Sequence, residues 1–490
     1  MTIPNASVKP VLETGQDDVI EGPLYAAGKR IFPQAAHGLF RKIKWAILVL
    51  TLGVYYGLPF LRWDRGPGEP NQAVLVDLAH RRFYFFFIEI WPQELYYVAG
   101  LLILAALILF LMNAVAGRVW CGYLCPQTVW TDLFYAVERL VEGDSRRQRQ
   151  RQVEGWTFNN ILHTAYKHTI WLLIAWWTGG AWVLYFADAP TLVHKLATFQ
   201  APLVDWVAIG ILTLTTYLLA GHMREQVCIY MCPWPRIQAA LTDEDALNVT
   251  YRYDRGEPRI SLKAGLAARS LGQLAGDCVD CNQCVAVCPT GVDIRHGSQL
   301  GCIQCGLCID ACDAVMQKVD RPHGLIAYDN ENNIKRRQAG LPSVRRIVRP
   351  RTILYTIAIV LIGSTMLTRL VTRPTGGITV AHDRNPLYVT TADGTVRNAY
   401  TVQIVNEQSV PRNLQLTITG LDNAKVQVIG VDGHGPIFPF QVEGDNTRDL
   451  RVTITGPASA PAHAQIPIQF NVTDPENKTQ MTATDNFKTP

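Results

Sequence analysis

No cysteine in this chain is left over for a structural disulfide. All twelve fall in short repeated spacings, and clustered cysteine of this kind indicates metal chemistry in a reducing compartment. Net charge is almost absent as well, at +4 over 490 residues. So small a balance gives no electrostatic case for a nucleic-acid partner. The first 40 residues are polar and contain Pro and Gly but no apolar run, so no cleavable signal peptide is expected. What the chain has in quantity is apolar surface. Its 48% hydrophobic residues are too many for an ordinary soluble enzyme, and its length allows roughly three domains.

Eight cysteines lie in one stretch. It reads Cys278-x2-Cys281-x2-Cys284-x3-Cys288-Pro289, then Cys302-x2-Cys305-x2-Cys308-x3-Cys312. This is the bacterial ferredoxin spacing for two [4Fe–4S] clusters, in which the fourth Cys of each run ligates the other cluster. Cys278, Cys281, Cys284 and Cys312 are therefore expected on one cluster, and Cys302, Cys305, Cys308 and Cys288 on the other. A zinc site needs only four ligands and no interleaving. Asp313, rather than Pro, follows Cys312, so the turn after the eighth ligand is expected to differ.

Around this stretch the chain divides into five parts. Residues 1–40 read as a flexible cytoplasmic arm. Residues 41–235 read as a membrane domain with four spans, 236–350 as a cytoplasmic ferredoxin module, 351–372 as a fifth span, and 373–490 as an immunoglobulin-like β-sandwich. A span needs about 20 mostly apolar residues. Arg41, Lys42 and Lys44 form a basic collar before the first run, Trp45 to Leu61. The others are Leu95 to Ala116, Thr169 to Phe186, Leu203 to Gly221 with Asp205 inside it, and Thr352 to Leu367. The aromatic block Phe83 to Phe87 is too short to span and reads as interfacial. The period of Val129, Leu133, Phe134, Val137, Leu140 and Val141 suits an amphipathic helix, either on the membrane surface or packed on the protein's own core. Arg146, Arg147, Arg149 and Arg151 behind it are expected to be solvated or near lipid phosphates.

Lys and Arg gather before the first span and in the second–third loop, while the third–fourth loop carries Lys195 alone. This bias places the N-terminus and the ferredoxin module in the cytoplasm of a bacterial inner membrane. Arg62, Arg65, Arg81 and Arg82 in the first loop run against it. The reducing compartment that the ferredoxin cysteines need outweighs them. Five spans then put the C-terminal part in the periplasm. There, short alternating segments recur at Tyr388–Thr391, Tyr400–Asn406, Leu414–Thr419, Val426–Ile429, Leu450–Thr455 and Ile466–Val472, with Gly433-His434-Gly435 among the turns. That is the pattern of an antiparallel sandwich. His434 and His463 read as exposed loop residues, not ligands.

The other four cysteines form two copies of one motif. Cys121-x-Tyr123-Leu124-Cys125-Pro126 and Cys228-x-Tyr230-Met231-Cys232-Pro233 each follow an even-numbered span. In a helix, i and i+4 share a face, so each pair can converge on one ion. Pro126 and Pro233 are expected to open the next helical segment. Such thiolates suit Cu(I), zinc or a further Fe–S cluster. Free Cys also packs between helices without function, but repetition of the motif favours a site.

With both motifs, the ferredoxin runs, Trp91-Pro92-Gln93, the stretch Ile309 to Met316 and Gly324-Leu325-Ile326-x-Tyr328, the chain resembles the FixG/CcoG family of cytochrome c oxidase accessory proteins. Asp313 fits that family, as does the C-terminal sandwich. Membrane polyferredoxins of nitrate and nitrous-oxide respiration share only the cysteine motifs. The resemblance implies a role in making cbb-type cytochrome c oxidase, with reduction of Cu(II) to Cu(I) for its copper centre. It implies copper as substrate or transient ligand, and assembly factors and copper carriers as partners. On this reading Cys121, Cys125, Cys228 and Cys232 carry the reduction, fed through two [4Fe–4S] clusters by an unidentified donor. Two other readings stand beside it. One is a subunit linking a membrane quinol pool to a respiratory reductase. The other is a copper-holding scaffold whose clusters are structural.

Overall fold

The computed structural model describes residues 30–490, apart from 67–68, 374–375, 409, 422–423, 432–434, 445, 457–464 and 490. His434 and His463, and most of the expected N-terminal arm, lie outside the described residues. The chain forms two compact units, Met1–Trp63 with Gln72–Ile359 and Asp64–Asn71 with Val360–Pro490.

The first unit opens with residues 30–38, outside any helix or strand. They are not a free arm: Phe32 and Ala36 are buried, and the Gln34 amide donates to Ala286 O at 2.8 Å. Helix α1 (Leu39–Gly57) follows. Next come three short strands, β1 (Val74–Asp77), β2 (Arg82–Phe85) and β3 (Ile88–Ile90), paired antiparallel in that order. The aromatic block expected at a lipid interface is thus partly strand β2. Its Tyr84 opposes Leu75 and is buried, because alternate side chains of a strand share a face.

Helix α2 (Tyr96–Ala116) ends at a left-handed Gly117. Helix α3 (Pro126–Glu142) is the amphipathic segment, and it packs on the protein itself. Phe134 is 1% exposed and stands 5.1 Å from the Trp171 ring. Its acidic face is buried too, because each acid finds a cation: Asp132 meets Arg41, Glu138 meets Arg224, and Glu142 meets Lys167. A buried charge needs such a partner. Helices α4 (Ser145–Glu154), α5 (Phe158–Val183), α6 (Ala189–Ala197) and α7 (Leu203–Thr216) complete this region. A π-helical stretch, Tyr217–Met223, continues α7, and α8 (Trp234–Leu241) leads out of it.

The ferredoxin module is held shut by β4 (Asn248–Tyr251) pairing with β5 (Ile326–Asp329). Between them lie α9 (Tyr253–Gly256), α10 (Leu262–Ser270), α11 (Gln283–Ala286) and α12 (Leu307–Lys318). Helix α13 (Glu331–Gln338) follows, and α14 (Pro350–Val371) runs from the first unit into the second. Among the described residues, four helical stretches are long and apolar enough to cross a membrane: Leu39–Phe60, Tyr96–Ala116, Leu203–Met223 and Pro350–Val371. The expected third span lies in α5, which has 26 residues. Asn159, Asn160, His163, Lys167 and His168 make its first half polar, and that keeps it below the apolar standard of the other four.

The second unit is a two-sheet sandwich. Its strands are β6 (Gly376–His382), β7 (Val389–Thr390), β8 (Val396–Asn406), β9 (Arg412–Thr419), β10 (Lys425–Ile429), β11 (Ile437–Val442), β12 (Asn446–Gly456), β13 (Gln465–Asp474) and β14 (Thr479–Lys488). One sheet has the order β10-β12-β8-β6, with β7 beside β8, and the other β11-β9-β13-β14. Alternate residues such as Tyr400, Val402 and Ile404, or Phe470 and Val472, fill the core between them.

Candidate metal centre

All twelve cysteines are free thiols. The two ferredoxin runs repeat each other in backbone as well as spacing. Asp280 and Gln304 stand at equivalent places and are both left-handed, at φ 53° and 56°. So are Asn282 and Gly306, which cap α11 and α12. Left-handed residues are uncommon and coil the chain tightly. Two per run wrap the x2 loops so that successive cysteines face a common centre.

The cysteines of the two runs lie close enough to act on one another. Burial pushes the Cys312 thiol up to about 12, and Cys284, Cys281 and Cys278 act on it from nearby. Burial likewise drives Cys308 well above its ordinary value, and Cys305, Cys302, Cys288 and Cys284 all act on it. Packing thiolates together in an apolar shell is unfavourable unless a cationic centre neutralises them. The shell is present: Ile294, Ile309, Met316, Leu325 and Ile326 are all buried around the first group. Soft sulfur donors, apolar walls and grouping by four fit an iron–sulfur cluster. Asp313 has a structural task here. Its Oδ1 accepts from the Gly324 amide at 2.7 Å and ties α12 to the turn before β5.

The membrane-side motifs do not form the α-helical turns expected of them. Trp120–Leu124 and Val227–Met231 are π-helical turns. The Cys125 amide donates to Trp120 O at 2.9 Å and the Cys232 amide to Val227 O at 2.8 Å, so each bond closes over five residues. Single π turns inside helical segments recur at functional sites. The preceding break repeats too: Gly117 and Arg224, each four residues before its first cysteine, have φ 59° and 44°. Arg224 holds that conformation by donating to Gly221 O at 2.6 Å and pairing with buried Glu138. Pro126 opens α3 as expected, and Pro233 sits one residue ahead of α8.

The two copies converge. Burial pushes the Cys121 thiol up to about 12, and Cys125, Cys228 and Cys232 all act on it. Cys228 is raised alike, with Cys125 and Cys232 beside it. Cys121 Sγ also meets Gln238 Oε1 at 3.2 Å. Among the described residues, however, no three His, Cys, Asp or Glu side chains close to the spacing of a single-ion site. The four thiols share a neighbourhood.

This neighbourhood abuts the second ferredoxin run. A Cβ on Gly122 would lie 2.8 Å from Ile303 O and 3.2 Å from Cys305 Cα, so only glycine allows the π turn to sit there. Tyr123 donates to Cys305 O at 2.8 Å. Arg118 is buried and binds two other segments at once, donating to Leu300 O at 2.7 Å and Cys302 O at 3.2 Å on one and to Pro235 O at 3.0 Å on the other. Asp310, between Cys308 and Cys312, accepts from the Phe40 and Arg41 amides at 3.1 and 2.8 Å and so caps α1. Lys44, part of the expected basic collar, is 4% exposed. Its charge acts on both Cys228 and Cys305. Arg118, Gly122 and Lys44 were not singled out from the sequence for this site. Only the glycine inside the first motif could have drawn notice, and the second motif has Ile229 in its place.

Comparison with known proteins agrees with this geometry. Residues 223–331 match the 4Fe-4S dicluster domain, 98–143 a 4Fe-4S binding domain, and 366–490 the IG-like fold at the C-terminal of FixG. Nitrogen fixation protein FixG of Rhizobium meliloti is 46% identical, over 96% of this chain and 95% of its own. Proteins RdxA and RdxB of Cereibacter sphaeroides are each 48% identical, over 89% and 91% of this chain and 91% and 92% of theirs. An iron–sulfur protein with several apolar helices and an immunoglobulin-like C-terminal domain, this chain belongs to the FixG family.

Proposed function

We propose that the protein is a membrane-bound electron carrier that reduces Cu(II) to Cu(I) for the copper centre of a cbb-type cytochrome c oxidase. Cys278, Cys281, Cys284 and Cys312 would hold one [4Fe–4S] cluster, and Cys302, Cys305, Cys308 and Cys288 the other. When bound, the clusters supply one-electron relays. Cys121, Cys125, Cys228 and Cys232 receive the copper substrate, their soft sulfurs favouring Cu(I) over Cu(II). The observation that carries this reading is the contact of Gly122 with Ile303 and Cys305. It leaves no intervening layer between the copper-facing turn and the second cluster loop. Electron transfer needs no general acid or base, and none is assigned. Oxidase assembly factors and copper carriers are the partners this role requires.

The same reading places the protein in the bacterial inner membrane, with the ferredoxin module cytoplasmic and the sandwich periplasmic. That needs five spans, so α5 must cross with the four more apolar helices. Its packing supports this. A Cβ on Gly179 would lie 3.0 Å from Ile209 O and from Thr213 N of α7, and Ala175 is wholly buried. Close approach over small residues is how helices pair within lipid.

One other occupant of the membrane-side site has support of its own. The matched 4Fe-4S binding domain, 98–143, includes Cys121 and Cys125, which favours a third cluster there. Anaerobic iron and sulfide analysis of the full chain separates the two. Copper binding predicts about eight of each, two cubes' worth. It also predicts no loss in the paired variants C121S/C125S and C228S/C232S. About twelve, falling to eight in both variants, assigns a third cluster. About four overturns the two-cluster assignment.

A further inference from the structure

We propose that a cavity of about 500 Å³ beside the start of α1 binds a phosphate group. This inference is independent of the copper reading. The first turns of α1, the last turns of α3 and the turn at Pro289 form its walls.

Its charge is lopsided. Arg41, Lys42, Arg139 and His37 line it, with Asp132 as the acid among them. Asp132 is already committed. Arg41 Nη1 donates to both of its oxygens, at 2.8 and 2.9 Å, and Lys44 approaches to 3.8 Å. Arg41 is 8% exposed, and its Nη2 is buried with no hydrogen-bond partner. Among the described residues the Arg139 side chain makes no ion pair or hydrogen bond, and neither does that of Lys42. Burial, and then the charge of Arg41, holds the Arg139 guanidinium below its ordinary value. Arg41 thus carries one buried donor unmatched, which is unfavourable without an acceptor, and Arg139 lines the same space. Guanidinium forks match phosphate oxygens in pairs. The amides at the start of α1 take no part, since Asp310 already accepts from Phe40 and Arg41.

The rim suggests where the phosphate comes from. Arg41 and Lys42 stand in the first turn of a helix long and apolar enough to cross a membrane. Trp45 and Leu140 border the cavity and are 37% and 83% exposed. A cationic pocket edged by Trp at the end of a span suits the headgroup of an anionic phospholipid. A soluble phosphate compound has the same anionic group without the chains.

Calorimetry on the full chain, in a detergent with an uncharged headgroup, distinguishes these sources. The probes are short-chain phosphatidylglycerol, short-chain phosphatidylcholine and inorganic phosphate. The lipid source predicts saturable binding of phosphatidylglycerol, with phosphatidylcholine and inorganic phosphate each at least about tenfold weaker. Arg139→Gln should lose about tenfold and Arg139→Lys a smaller part of the affinity, since lysine keeps the charge but not the paired donors of the guanidinium fork. Inorganic phosphate binding as tightly as the lipid, with the same loss in Arg139→Gln, assigns the pocket to a soluble phosphate compound. Absence of saturable binding by either anion overturns the proposal, and so does equal binding by wild type and Arg139→Gln. If Arg139→Gln loses its iron–sulfur absorbance, Lys42→Gln, an exposed side chain, is judged by the same criteria.

Discussion

Gly122 and Arg118 connect the two cysteine systems at the scale of single residues. The glycine allows backbone to touch backbone, and the arginine satisfies carbonyls from both sides of that contact. Gly122→Ala should therefore push the π turn away from Ile303 and Cys305. Overpacking of this kind costs about 1–3 kcal/mol. The thermal midpoint should fall, and Cu(II) reduction should slow although every cysteine remains. Gly53→Ala is the control, because a Cβ there meets nothing within 4 Å. It should leave both quantities unchanged or slightly raise stability, alanine being the better helix former. Equal effects of the two substitutions would remove Gly122 from the account. The cysteines themselves were legible, because a thiolate pattern is written in spacing. The glycine contact was not, because it joins residues about 180 positions apart.

At the scale of elements, periodicity identified segments more reliably than their partners. Helix α3 shows its apolar stripe in sequence. That its acids are buried against Arg41, Arg224 and Lys167 depends on three distant segments. The cysteine motifs look like α-helical turns because their cysteines are four residues apart, whereas the bonds that form close over five. The break that permits the π turn is readable at Gly117. It is hidden at Arg224, where an ion pair with Glu138 secures a conformation usually left to glycine. Helix α5 is the element on which topology turns. If it crosses with the other four, a periplasm-active reporter fused after Gly377 should give signal, and one near Gly340 should not. Signal from neither would return the C-terminal domain to the side of the ferredoxin module, and signal from Gly340 alone would invert the topology.

For the whole molecule, the division into apolar helices, ferredoxin module and sandwich was legible because each has its own composition and period. Six sandwich segments were expected, and β7, β8, β9, β10, β12 and β13 stand there. Strands β6, β11 and β14 were not anticipated. β14, Thr479–Lys488, is mostly polar and buries a single large apolar side chain, Phe487, so its alternation is faint. The order of strands across two sheets is likewise not a local property. What sequence left open was whether the four membrane-side thiols share a neighbourhood, and the repeated breaks and π turns bring them together against the second ferredoxin run.

The central claim is that electrons held in the ferredoxin module leave through those four thiols. The direct measurement mixes anaerobically reduced full-length protein with Cu(II) in a stopped-flow instrument and follows the return of iron–sulfur absorbance, with Cu(I) trapped by a chelator. Wild type should bleach and recover with about one Cu(I) formed per electron stored, the balance of a one-electron transfer. C121S/C125S and C228S/C232S should hold their electrons, recovering at least about tenfold more slowly with unchanged starting spectra, as expected when hard oxygen replaces soft sulfur. Recovery at the wild-type rate in both variants would contradict the account, because copper would then be reduced without the site.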